Sequence, residues 1–155
     1  MMIVPQLFWD ALLHRFLTDR TNLERVAYFD GVRAGGAGVV TTVTVPRAKR
    51  HPRYFRVAAA DMSAAGKHLL EHGLQRLAQV YSHGDTFVDH SETDDGWAYS
   101  QRPGSLSIVV PCHGRDVTRL TQCGVHIRRE TGWVRLDEGE IAKEILTVPS
   151  SVILA

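Results

Sequence analysis

Cysteine is scarce in this 155-residue chain. There are two, Cys112 and Cys123, too few for a disulfide framework, and they are expected to be free thiols in a reducing compartment. Charge of one sign is also lacking. The net formal charge of +1 gives no electrostatic case for nucleic acid or an anionic membrane as the main partner. Nor is there a long apolar run. Met1 to Leu17 is apolar at its start, but Asp10, His14 and Arg15 interrupt it. It has neither a basic leading segment nor a small-residue cleavage site, so it reads as an amphipathic helix rather than a signal or a span. No internal repeat, low-complexity tract or linker divides the chain. What is present is ordinary for a globular protein, 44% apolar and 23% charged, and 155 residues suffice to bury a core without staples. The expectation is one cytoplasmic domain over 1–155, with an oligomer left open.

Local patterning gives an interleaved order of helices and strands. Leu7, Phe8, Ala11, Leu12 and Phe16 recur at helical spacing, predicting a helix over roughly 5–18. Asn22 to Gly31 suits a strand, and Val39 to Val45 another, joined as a hairpin through the glycine-rich 34–38. Pro46 to Pro52 reads as a basic loop and Tyr54 to Val57 as a short strand. Asp61 or Ser63 would cap a helix running to about Leu74, with Leu69, Leu70, Leu74 and Leu77 on its buried side. Leu77 to His83 is the next strand. Ser91, with Asp94 three residues on, has the form of a capping box opening a helix to about Gln101. Leu106 to Val110 is a buried strand stopped by Pro111. Gly124 to Arg129 and Trp133 to Leu136 form a hairpin, and a short helix is expected near Glu138 to Leu146. Such mixing argues for an α/β or α+β fold.

Four stretches carry ligand or catalytic chemistry. In Tyr81-Ser82-His83 the alternate residues 81 and 83 share one face of a strand. After ten intervening residues stands Asp94, with Ser91 three positions before it. An imidazole and a carboxylate are zinc ligands, a second carboxylate would take a proton from water, and Ser91 would donate to a developing oxyanion. The plain alternatives are a turn histidine, a helix cap and a solvated Glu24 at a strand head. His90 and Asp89 lie in the loop between, where a substitute ligand would come from. His68-Leu69-Leu70-Glu71-His72 matches an inverted zinc-protease motif, with Glu71 as base and only Glu144 as a further ligand. It sits on the polar side of its helix, which favours a solvated surface. Cys112-His113 would be incidental, because neighbours on extended chain point apart. The basic run Arg47 to Arg53 reads as a solvated loop or a contact for an acidic partner.

Taken in order, Glu24 with Ala27 and Gly31, then His83, Ser91 and Asp94, resemble the signature of the JAMM/MPN (JAB-like) metalloprotease domain. That signature is an upstream glutamate on an E-x-x-G-x-x-x-G strand, H-x-H-P, and S-x-x-D. The stretch Gln101 to Pro111 is similar to the strand after the site in bacterial stand-alone members, and the resemblance spans about 20–115. It implies a mixed central β-sheet flanked by helices, of the cytidine deaminase-like kind. It further implies one Zn2+ held by histidines and an aspartate, here His83, Asp94 and position 81. Glu24 would be the general base and Ser91 the oxyanion donor. Family activity is peptide or isopeptide cleavage, commonly at the C-terminus of a ubiquitin-like protein. Two positions depart from the pattern: Tyr81 stands for the first histidine and Gly84 for the proline. A phenol loses its proton only near pH ~10 without help and reaches further than an imidazole, so it weakens the metal site or fills it. A metal-free domain of this fold, binding a ubiquitin-like partner or serving as a scaffold, is the alternative.

Overall fold

Strands β2 (Val26–Ala34) and β3 (Ala37–Thr44) form the expected antiparallel hairpin, turning on Gly35 and Gly36, both at positive φ. The structure is a computed structural model that describes residues 1–151, so the last four residues of the expected 1–155 domain lie outside it. Ahead of the hairpin come β1 (Met2–Pro5) and helix α1 (Gln6–Thr18). After it follow a small ribbon of β4 (Lys49–His51) and β5 (Tyr54–Arg56), helix α2 (Ala59–Glu71) and strand β6 (Gln75–Ser82). Next are α3 (Glu92–Trp97), β7 (Leu106–Val110), β8 (Gly124–Arg129), β9 (Gly132–Arg135), α4 (Glu138–Glu144) and β10 (Ile145–Val148).

Eight strands build one sheet in the order β10-β1-β3-β2-β6-β7-β8-β9. It is mixed: β1 runs parallel to both β10 and β3, β6 is parallel to β7, and the other pairs are antiparallel. The fold class is therefore the expected one, a mixed sheet with flanking helices. Its central strands are buried on both faces, which is why β7 is a continuous run of five buried residues rather than an alternation. On one face Ala27, Phe29 and Val80 meet Trp9, Leu12 and Phe16 of α1. On the other, Val26, Tyr28, Tyr81 and Val109 pack with Phe55 of β5. Each such side chain contributes about 1.5–3 kcal/mol on leaving water.

Two glycines are fixed by close approach of backbone. A Cβ on Gly31 would lie 1.9 Å from the Val39 carbonyl oxygen, at a bulge in the β2–β3 register. A Cβ on Gly124 would lie 1.8 Å from the carbonyl oxygen of Val88. That second contact seats the 83–91 loop against the start of β8.

Several sequence expectations need correction. Strands β1 and β10 were not foreseen: four residues each, they are defined by pairing with one another rather than by local pattern. The basic segment is not all loop, since β4 pairs with β5. Helix α2 begins earlier than predicted, with Ala58 as its N-cap and no side-chain cap, and Leu70 is 81% exposed rather than buried. The third helix stops at Trp97, short of Gln101. Among the described residues no helix is long and apolar enough to cross a membrane.

Candidate metal centre

Register brings the site together. Val26 of β2 pairs with Tyr81 of β6, so Glu24, just before β2, lies level with His83, just after β6. Backbone bonds lock that corner: Ser82 N–H donates to the Arg25 carbonyl (2.9 Å) and His83 N–H to the Val110 carbonyl (3.0 Å). Glu24 N–H is held from the other side by the carbonyl of His51 at the end of β4 (2.9 Å). Asp94 arrives on α3. The predicted capping box is present: Asp94 N–H donates to Ser91 Oγ (3.2 Å), and Ser91 N–H donates to Asp94 Oδ2 (2.7 Å). The ribbon pins α3 in place, with Tyr54 edge-on to Trp97 at 5.6 Å and Arg56 over the Trp97 ring.

One ligand atom each from Glu24, His83 and Asp94 lie within 4.8 Å of one another, and all three residues are buried. His83 Nδ1 bonds the Phe87 carbonyl (2.7 Å). Nε2 therefore faces the carboxylates, 4.0 Å from Glu24 Oε1 and 3.7 Å from Asp94 Oδ2. A backbone carbonyl on the far nitrogen is the usual way a ligating histidine is oriented. Ligands at ~2.0–2.1 Å from a tetrahedral ion stand about 3.3 Å apart, so His83 lies within roughly half an ångström of that spacing from each carboxylate. Glu24 Oε2 is buried with no hydrogen-bond partner. This donor set, one imidazole and two carboxylates with an unmet acceptor between them, fits a small divalent cation.

The electrostatics agree. Burial pushes the Glu24 carboxyl up to about 7, against the attraction of His83. Burial also opposes charge on His83, but Asp94, the Phe87 carbonyl and Glu24 outweigh it and raise its pKa. Asp94 feels the same burial, and bonds from His83 and Ser91 overcome it and lower its pKa.

Tyr81 packs beside His83. Its side chain is fully buried, its ring lies 5.4 Å from that of His83, and burial followed by the Asp94 charge holds its phenol well above 10. The hydroxyl is neutral at ordinary pH, and no atom completes a hydrogen bond to it.

Sequence reasoning weighed His90 but missed its partner behind Tyr81, His126. His90 lies 6.0 Å from the Tyr81 ring and stacks on His126 at 4.0 Å. Its two nitrogens are taken by Asp95 (2.8 Å) and Ser107 (3.1 Å), so it does not supply the missing ligand. No local signal marks this pair, because His126 enters from β8. Burial pushes His126 down to about 4. A histidine that titrates at ~6.5 when unfolded and about 4 when folded leaves stability untouched above pH 6.5. That stability is then lost as pH falls, and loss is complete below pH 4. Glu24 acts oppositely: its stabilising proton is fully held below 4.5 and is lost as pH rises through about 7. The expected result is that His126→Gln flattens the decline in unfolding free energy between pH 6.5 and 4 by on the order of 3 kcal/mol. Denaturant melts at stepped pH measure it, and parallel curves for the two proteins would contradict it.

Other candidate residues fall elsewhere. His68 and His72 are exposed on α2, with Glu71 paired to Lys67, and Glu144 closes α4. Cys112 and His113 are not on extended chain; both have positive φ. The His113 ring bonds Ser82 Oγ (2.9 Å) rather than the thiol. Both cysteines are free, and burial pushes Cys123 up to about 12.

No protein-family model matches the chain. Over 98 residues it is 34% identical to a protein of Sinorhizobium fredii named a probable metalloprotease, a match covering 60% of this chain and 59% of that relative. Three solved structures share the fold. A solution structure of a protein from Desulfitobacterium hafniense superposes with a TM-score of 0.74 at 16% identity, over 97% of this chain and 94% of that one. One from Salinibacter ruber gives 0.59 at 17%, over 88% and 89%. The crystal structure of a JAB1/MPN domain protein from Archaeoglobus fulgidus gives 0.50 at 12%, over 88% and 95%. The chain thus has a JAB1/MPN-like fold, and the resemblance to a metalloprotease-type domain read from its motifs stands.

Proposed function

We propose that this JAB1/MPN-like chain is a zinc-dependent metallopeptidase of JAMM type, a single domain over 1–155. It would cleave at the C-terminus of a ubiquitin-like protein, its conjugates or a flexible peptide, in the cytoplasm. The observation that carries the reading is the convergence of Glu24, His83 and Asp94 from three distant parts of the chain within 4.8 Å. His83 Nε2 and Asp94 would hold the ion, with Tyr81 at the position of the third ligand. When bound there, zinc would supply Lewis acidity at the scissile carbonyl. Glu24, poised near neutrality by burial, takes a proton from the attacking water and delivers it to the leaving amine. Ser91 accepts from Asp94 N–H, so its own hydroxyl proton is free to steady the developing oxyanion.

Glu24→Gln keeps the shape and removes the base, so cleavage of a ubiquitin-like fusion should fall about 10²–10⁴-fold with thermal stability maintained. Elemental analysis of the wild-type chain should find one zinc. Metal-free protein that cleaves nothing would sink the reading. It would leave a metal-free domain that binds a ubiquitin-like partner, which the buried, neutral Tyr81 phenol favours. In that case partner affinity is unchanged by chelation and by Asp94→Ala.

A further inference from the structure

Positive charge is concentrated where α1 ends, on the opposite side of the Glu24–Arg25 corner. A cavity of about 280 Å³ is lined by Arg15, Arg25, Arg47 and Arg50. A second, of about 340 Å³, is lined by Arg20, Arg25 and Arg115 together with His113. The two share Phe16, Asp19 and Arg25, so six arginines surround one carboxylate in a chain whose net charge is +1.

Part of this charge is structural. Arg25 gives its terminal nitrogens to the carbonyls of Asp19, Thr21 and Leu23, and Asp19 is paired with Arg50. Asp19 is thereby fully engaged, since Thr21 also donates to it twice. Among the described residues nothing comparable answers the rest. Arg15, Arg20, Arg47 and Arg115 are exposed around the cavities. Arg25 is 5% exposed, and its Nε–H is buried without an acceptor.

The geometry points to an anion-binding pocket at the end of α1, taking an oxyanion, a phosphate or carboxylate group, between the Arg15/Arg47 rim and Arg25. Guanidinium forks match both groups in a bidentate manner. Cavities of this size admit a small multivalent anion or one charged group of a larger ligand, not a duplex or a membrane surface. Nothing in this pocket depends on the metal centre or on peptide cleavage.

Calorimetric titration of the full chain with inorganic phosphate, and separately with citrate, tests it against sodium chloride at matched ionic strength. Saturable binding of either anion is expected, phosphate or citrate alone identifying the preferred chemistry. It should weaken about tenfold or more in Arg15→Gln/Arg47→Gln, which removes two charge-assisted contacts. No binding above the chloride control, or equal binding by the double variant, overturns the pocket. Should that variant fail to fold, the wild-type protein decides. The Arg25 Nε–H resonance shifts saturably with phosphate or citrate if the pocket binds, and stays fixed with both if it does not.

Discussion

Tyr81→His should raise zinc affinity by about 100-fold or more while weakening the metal-free protein. Even changes behind a ligand cost metal sites ~10–100-fold, and here a ligand itself is restored. Position 81 is well placed for it: the ring lies 5.4 Å from His83, and its hydroxyl bonds nothing. An imidazole is shorter and, as the neutral base, offers its lone pair to the metal without first losing a proton. Its smaller volume leaves a gap in a fully buried position, with a cost of about 1–2 kcal/mol in the absence of metal. Zinc titration and thermal melts with and without chelator read both effects. Unchanged affinity would mean that His83 and Asp94 are not two-thirds of a metal site.

Asp30→Ala should cost about 3–5 kcal/mol, the largest loss of stability expected from any single polar change here. Asp30 is fully buried at the bulge in β2, and Arg76 of β6 reaches it with Nε at 3.0 Å from Oδ1. The same guanidinium lies over the Tyr28 ring at 3.7 Å. Removing the carboxylate leaves a cation in a largely apolar setting, answered by the Tyr28 ring face and the Met62 sulfur. Denaturant midpoints measure the loss. The double variant Asp30→Ala/Arg76→Ala should lose less than the sum of the two single changes, and strict additivity would show that the pair is uncoupled.

Much of this architecture is written locally, and the remainder is not. Leu106–Val110 is legible to the residue because a β-branched run is bounded by Gly104 and Pro111. The Ser91–Asp94 capping box is legible because both partners are three residues apart. Leu70 misleads, since its place in a leucine-rich helix does not reveal that α2 buries only Leu69. Met2–Pro5 and Ile145–Val148 have no strong pattern of their own and become strands only on meeting. The candidate site divides in the same way. His83, Ser91 and Asp94 form one readable stretch, whereas Glu24 joins them through the pairing of β2 with β6. His126, packed behind Tyr81 through His90, is invisible without the fold.

That meeting of β1 and β10 governs how the molecule assembles. Met2 faces Ile145 and Pro5 faces Val148, a loop closure across nearly the whole described chain. Such non-local pairing comes late and slowly. During synthesis β1 emerges ahead of β10 and waits, one edge unpaired, until Ile145–Val148 follows it. Through that interval Met2 and Val4, later buried, present an open strand of the kind that recruits other chains. The nascent chain is thus open to aggregation at β1 until β10 covers that edge.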